Sequence, residues 1–363
     1  EGQGLEISQI QCAYSSCLEQ IDLAKAEQAL ESALGYHRRL PGALRRLSAL
    51  QAKQDRWSEA IRTRERLLLD EASSEQRFEL LLELGDLALQ RGTGEQGIEF
   101  FVRASQIHSH SALANRGLGR AHLMLDQTLS GIRALDQAVR LFQAEHDIDS
   151  AAALLVEIAD VWRAQDQGAA SAIMRYRQAL ALKPGFGGAL IGIASVSTEM
   201  GDGPTARSAL EELLRAAENG QSDVNRFQAM LELGGLLVQQ TDTQAQGIPY
   251  LQRCLDGPAE VARDSSRRLE TLYESTERWH DLVRHLEGML KKPALAHDRH
   301  FRLRLASLMD TKLADPSRAL TVLMTIEAAG DDKILMARAD LQRRLERFAP
   351  LEVTLSRLSQ LLN

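Results

Sequence analysis

The chain has 363 residues, a net charge of −7 at pH 7 and 44% hydrophobic residues, of which few are aromatic. This apolar content suffices for two or three ordinary domains or for one extended array. The acidic balance disfavours a nucleic-acid binder, whose affinity needs a surplus of Lys and Arg against phosphate, although a local basic patch is still compatible with it.

Only eight Pro, together with abundant Ala, Leu, Arg, Glu and Gln, favour helix throughout, because these side chains lose little freedom there. Three cysteines, Cys12, Cys17 and Cys254, are an odd number without a CxxC pair, which suits buried thiols in a reducing, cytoplasmic compartment better than a disulfide framework. The longest apolar run, Ala151 to Val156, is far short of the roughly 18 residues of a membrane span, so no membrane segment is expected. A first residue of Glu leads us to expect a piece of a longer protein.

In chain order, residues 1–6 are expected to form an N-terminal extension, with helical hairpins from Ile7 onward. "RRLSALQAKQDRW", Arg45 to Trp57, is written again as "RRLETLYESTERW", Arg267 to Trp279. "RFELLLELGDLALQ", Arg77 to Gln90, returns as "RFQAMLELGGLLVQ", Arg226 to Gln239. Within these phrases apolar residues such as Leu81, Leu84, Leu87 and Ala88 recur at three- and four-residue spacing, the signature of one helix face, and no stretch alternates as a strand would.

Breaks between the helices are chemically marked. Lys183-Pro184 ends one helix, and Gly201-Asp202-Gly203-Pro204 stops one and starts the next, with Gly in the left-handed turn and Pro in the first turn. Trp57 and Trp279 fall at such turns, where a wide ring closes the mouth of the hairpin. Their truncation to Ala is expected to cost about 3–5 kcal/mol if the ring is fully buried, and less at the rim. Pro249 lies inside an expected second helix, which must then start late, near Gln246, or bend. "ERWHDL" at Glu277 reappears as "ERFAPL" at Glu346.

The pattern resembles the tetratricopeptide repeat (TPR) family. Leu84-Gly85, Gly97, Phe101 and Ala104 match one unit. Leu118-Gly119, Gly131, Leu135 and Ala138 match the next. Ile158-Ala159, Trp162, Ala172, Tyr176, Ala179 and Pro184 match a third with one insertion, and Ala206, Leu210 and Leu213 a fourth. The resemblance implies an all-α, right-handed α-solenoid of about ten TPR-like hairpins over residues 7–363, with units starting near 7, 41, 78, 112, 152, 187, 227, 263, 299 and 332. Later units depart from the pattern, with Leu282 and Leu351 where the family usually has Ala.

Candidate chemistry is sparse. His108/His110 and His297/His300 bring imidazoles together, but only the second pair has a helical ligand spacing, and no further donors accompany it. No GxSxG, Walker A or HExxH is present, "GLG" at Gly117–Gly119 suits close helix packing, and neither an enzyme nor a cofactor is expected. The resemblance implies that first helices line a groove, at Arg45, Lys53, Leu82, Asp86, Leu89, Arg116, Arg120, Leu123, Met124, Asp160 and Arg163. Arg116 and Arg120 would pair with a partner's carboxylate, Asp86 and Asp160 with its Arg or Lys, and Leu89, Leu123 and Met124 would anchor apolar groups. The family's carboxylate clamp is not matched, because Asn is missing and Ala153 and Glu157 stand where donors belong. The implied function is a protein–protein interaction scaffold, and long bacterial members that recruit a small GTPase or a filament or assembly component of polarity, motility or secretion systems are similar. An RNA-binding helical repeat and a regulatory region of a larger enzyme are the alternatives.

Overall fold

The computed structural model describes residues 2–19, 21–38, 40–70, 73–291, 299–326 and 332–362. The chain divides into two compact units, Glu1–Val224 and Asn225–Asn363. Among the described residues there are twenty helices and no strand, paired as antiparallel hairpins. The first unit holds α1 (Gly2–Leu18) with α2 (Leu23–Tyr36), α3 (Pro41–Lys53) with α4 (Trp57–Asp70), and α5 (Ser74–Arg91) with α6 (Gly94–Ile107). It continues with α7 (Ala112–Met124) and α8 (Thr128–Ala144), α9 (Ile148–Arg163) and α10 (Ala169–Leu182), α11 (Gly187–Glu199) and α12 (Gly203–Glu218). The second unit pairs α13 (Arg226–Gln239) with α14 (Gln244–Cys254) and α15 (Ala259–Ser275) with α16 (Trp279–Leu290). It ends with α17 (Arg299–Thr311) and α18 (Pro316–Met324), then α19 (Asp332–Arg344) and α20 (Phe348–Leu362). Helix α1 begins at Gly2, so the residues expected to form a separate extension are its first turns.

One turn chemistry recurs between first and second helices and accounts for the repeated phrases. Asp55 and Glu277 sit in the left-handed region (φ 59° and 53°), and the amide of the next residue, Arg56 or Arg278, donates back to the carbonyl of Gln51 or Tyr273. Trp57 or Trp279 then opens the second helix. Asp126 and Glu346 repeat the arrangement, and Gly92 and Gly201 do so with glycine. These six-to-one bonds satisfy carbonyls that a helix end leaves open. Both Trp rings are partly exposed, so truncating them should cost less than a full burial would. Because a side chain at positive φ is strained by about 1–2 kcal/mol, Glu277→Gly is expected to raise the stability of the α15–α16 hairpin by about 1 kcal/mol, measurable as a higher urea midpoint.

Caps mark the other ends. Asp202 accepts from the Thr205 amide with Pro204 in the first turn of α12, and Ser111 and Asp147 cap α7 and α9. Helix α14 begins at Gln244, two residues before the expected start, and carries Pro249 in its interior, which leaves the Ala245 carbonyl without its usual amide donor.

Glycine decides how closely the hairpins pack. The Phe101 ring of α6 is wedged between α5 and α7: a Cβ on Gly85 would lie 2.5 Å from it, and one on Gly117 2.3 Å. Likewise a Cβ on Gly119 would stand 2.5 Å from Leu135, and one on Gly192 2.3 Å from the buried ring of Tyr176. Each large residue of a second helix thus fills a notch that a first helix opens by lacking a side chain. A single hairpin cannot cover its apolar face, so the core is built between neighbours. In the second unit Leu282, at an expected Ala position, is fully buried.

Candidate functional site

Within the first unit two pairs of successive first helices lie against one another, α5 on α7 and α9 on α11, whereas among the described residues no two second helices pack comparably. That asymmetry places the first helices on the inner side of the stack. At helical spacing, Leu82 and Asp86 of α5, Leu113, Arg116, Arg120 and Met124 of α7, and Glu157, Asp160 and Arg163 of α9 share this face.

Arg120, Asp160 and Arg163 are exposed but already paired within the chain. Arg120 holds Glu157 with two parallel bonds, Nε to Oε1 at 2.9 Å and Nη2 to Oε2 at 2.8 Å. Arg163 also holds Glu199 of α11, with Nε and Nη2 converging on Oε1 and Nε reaching Oε2 at 3.3 Å, and Asp160 accepts a hydrogen bond from the Tyr176 hydroxyl. Bidentate Arg–carboxylate bonds between neighbouring hairpins fix their spacing. The second unit repeats the device: Arg304 of α17 bonds Glu270 and Glu274 of α15, and Arg344 of α19 bonds Asp310 of α17. The sequence signal for this is an Arg and an acid one repeat apart on first helices, as in Arg120 and Glu157.

Leu89 and Leu123 are likewise packed on their own hairpins. A Cβ on Gly97 would meet Leu89 Cδ2 at 3.1 Å, and one on Gly131 would meet Leu123 Cγ at 2.7 Å. Asp86 and Arg116, by contrast, have no ion-pair or hydrogen-bond partner among the described residues. Asp86 has its pKa raised, because partial burial outweighs the attraction of nearby Arg116 and Arg120. Arg116 stands between Asp86 and Asp147, drawn electrostatically to both. On the same helix as Arg116, Leu113 and Met124 are 42% and 43% exposed, Met124 two turns further on. Arg45 and Lys53 are exposed on α3, and Arg45 lies close enough to repel Arg64, which Glu83 of α5 balances at 3.2 Å.

Other candidates resolve simply. His108 Nε2 pairs with Glu75 at 3.0 Å and His110 Nδ1 with the Ser109 hydroxyl at 2.9 Å, while the His297/His300 pair lies outside the residues whose side chains are described. No group of three metal-binding side chains occurs among the described residues. Of the thiols expected to be buried, only Cys254 is: it donates to the Phe227 carbonyl, and burial pushes its pKa up to about 11. Cys12 is half-buried and Cys17 exposed. No described helix is long and apolar enough to cross a membrane.

Hairpins of this length, with a glycine notch opposite a large second-helix residue, define a TPR-like helical-repeat protein. No protein-family model and no curated protein matches the chain. Among solved structures it is similar to a tetratricopeptide repeat protein from Parabacteroides merdae, at 12% identity over 72% of this chain and 99% of that one, with a TM-score of 0.45. It is similar also to the C-terminal part of a TPR repeat-containing protein from Cytophaga hutchinsonii, at 11% identity over 70% and 98%, with a TM-score of 0.49. A third is MamA, at 23% identity over 48% and 96%, with a TM-score of 0.39.

Proposed function

We propose that the chain is a protein-interaction scaffold that holds a protein partner on the first-helix face of its first unit. The observation that carries this reading is that Asp86 and Arg116, two charges with no counter-ion in contact, share the first-helix face with Leu113 and Met124, two exposed apolar side chains. Charged groups of both signs around apolar anchors suit a polypeptide of mixed charge, and partner affinity usually rests on few such residues. Arg45 and Lys53 extend the face on α3, whereas Arg120, Asp160 and Arg163 contribute by setting the spacing of its helices. A small GTPase or an assembly component of a bacterial polarity, motility or secretion system is the narrower form of the proposal.

Affinity capture with the whole chain tests it. Arg116→Glu and Met124→Asp are expected to lose the captured partner at least tenfold, while Arg215→Glu, an exposed change on α12, leaves it bound. Arg120→Glu is a poor probe, because it also breaks the bond to Glu157. An unchanged captured set with both first-helix variants would rule out this face. For the narrower form, a purified GTPase should co-elute in at least one nucleotide state. An RNA reader would instead show affinity that collapses with rising salt.

A further inference from the structure

The second helices of the first unit splay apart, and one of the clefts between them differs in chemistry from its neighbours. Between α8 and α10, Val139 and Leu182 with Leu155 of α9 beneath them form an apolar floor, and Arg140 and Arg175 stand on the rim. The floor residues come from one face of each helix, Val139 and Leu182 lying on the sides that α8 and α10 turn to the cleft.

Arg175 is the unusual member. Its Nη2 donates to Asp136 at 2.9 Å and its Nη1 to Gln178 at 3.2 Å, but its Nε is buried with no acceptor among the described residues. The Nε atoms of Arg56 and Arg64 are buried without an acceptor too, so what sets Arg175 apart is its place on the rim of an apolar cleft. The positions equivalent to Arg175, immediately before the wedge residues Phe101, Leu135 and Leu210, hold Phe100, Ala134 and Ala209, so no other cleft of this stretch carries this guanidinium. Arg140 bonds only Gln137 of its own helix, at 2.6 and 3.2 Å, and is exposed. Helices α8 and α10 together carry Arg133, Arg140, Arg175 and Arg177 against a single acid, Asp136, which Arg175 already occupies. Met174, half exposed, adds apolar surface alongside.

We propose that the cleft between α8 and α10 is a second binding site, which takes an acidic amphipathic helix of a protein partner by seating an aliphatic side chain on Val139, Leu155 and Leu182 and a carboxylate between Arg140 and Arg175. The cationic rim around an apolar floor matches such a segment in charge and in polarity. The exposed Arg140 fork, with the Arg175 charge beside it, is what meets the carboxylate, and a guanidinium donates best to a carboxylate in the plane of its fork. This site is on the opposite helices from the face proposed above and stands without it.

The probe is a fluorescent Ala-based helical peptide carrying Leu flanked by Glu along one side, titrated onto the full chain by anisotropy. Saturable binding is expected. It should weaken about tenfold or more when Gln replaces Glu, when Ala replaces Leu, or in the Arg140→Glu protein, whose fold is checked by far-ultraviolet circular dichroism. Arg215→Glu, an exposed change on α12 in the adjoining cleft, should leave binding unaltered. The proposal is overturned by absence of saturable binding, by equal affinity for the Gln peptide, or by loss in Arg116→Glu with Arg140→Glu unaffected, which would move the peptide to the first-helix face. It is overturned also if vesicles of phosphatidylserine and phosphatidylcholine, and not the peptide, bind in a manner that Arg140→Glu abolishes.

Discussion

Replacing Phe101 by Ala is expected to destabilise the first unit by about 3–5 kcal/mol, the range for removing a fully buried aromatic ring. Only 1% of Phe101 is exposed, and its ring fills the space left by two glycines on two different helices. The same geometry predicts the reverse experiment. Gly117→Ala puts a methyl group 2.3 Å from Phe101 Cε1, and the ring, enclosed by α5 and α7, has nowhere to retreat. Overpacking of this kind costs about 1–3 kcal/mol. The decisive measurement is the double variant. With the ring gone the collision disappears, so Phe101→Ala with Gly117→Ala should cost no more than Phe101→Ala alone, a strong departure from additivity. Simple summation of the two losses in urea melts would refute the wedge. Because stability in a stacked array is a sum of local terms, hydrogen exchange should show the loss concentrated in α5, α6 and α7.

The second large effect is expected at Gly185, just beyond α10. Its φ of +76° is in the region where side chains are strained, and an added Cβ would lie 2.9 Å from the Gln221 carbonyl oxygen. That oxygen belongs to the backbone and cannot swing away. Gly201, between α11 and α12, has nearly the same φ, +77°, with nothing within 4 Å. The two glycines therefore separate strain from collision. Gly201→Ala should cost about 1 kcal/mol, the strain alone, and Gly185→Ala about 2 kcal/mol or more, since the loop after α12 must also move. That loop carries Asp223, whose carboxylate accepts from the Gly187 amide at 2.7 Å and so caps α11 from 36 residues away. Faster exchange of the first amides of α11 in Gly185→Ala, and not in Gly201→Ala, is the expected readout. Equal losses at the two positions would mean that the loop does not dock there.

The candidate face was legible only as a set of positions. The family register that puts Arg116, Arg120 and Arg163 on the groove side says nothing of what stands opposite them, because the partners of Arg120 and Arg163, Glu157 and Glu199, belong to the next hairpin. Leu89 and Leu123 look like exposed anchors when only their own helix is considered. Both are half-buried, because Gly97 and Gly131 let the second helix close on one side of them. The α8–α10 cleft left no signal, since Arg175 reads in sequence as an ordinary solvated cation.

Local chemistry in the sequence determined where helices start and stop: Asp202 and Pro204 begin one, Gly201 ends another, and Asp55 and Glu277 turn the chain before their Trp residues. Such bonds join residues a few positions apart, and a linear pattern contains both partners. Which charges are left for a partner was decided only by tertiary structure, because an Arg is satisfied or free according to the carboxylate that stacking brings to it from about one repeat away. Asp86 and Arg116 are without such a contact for that reason, and Arg120, one turn further along the same helix, is not.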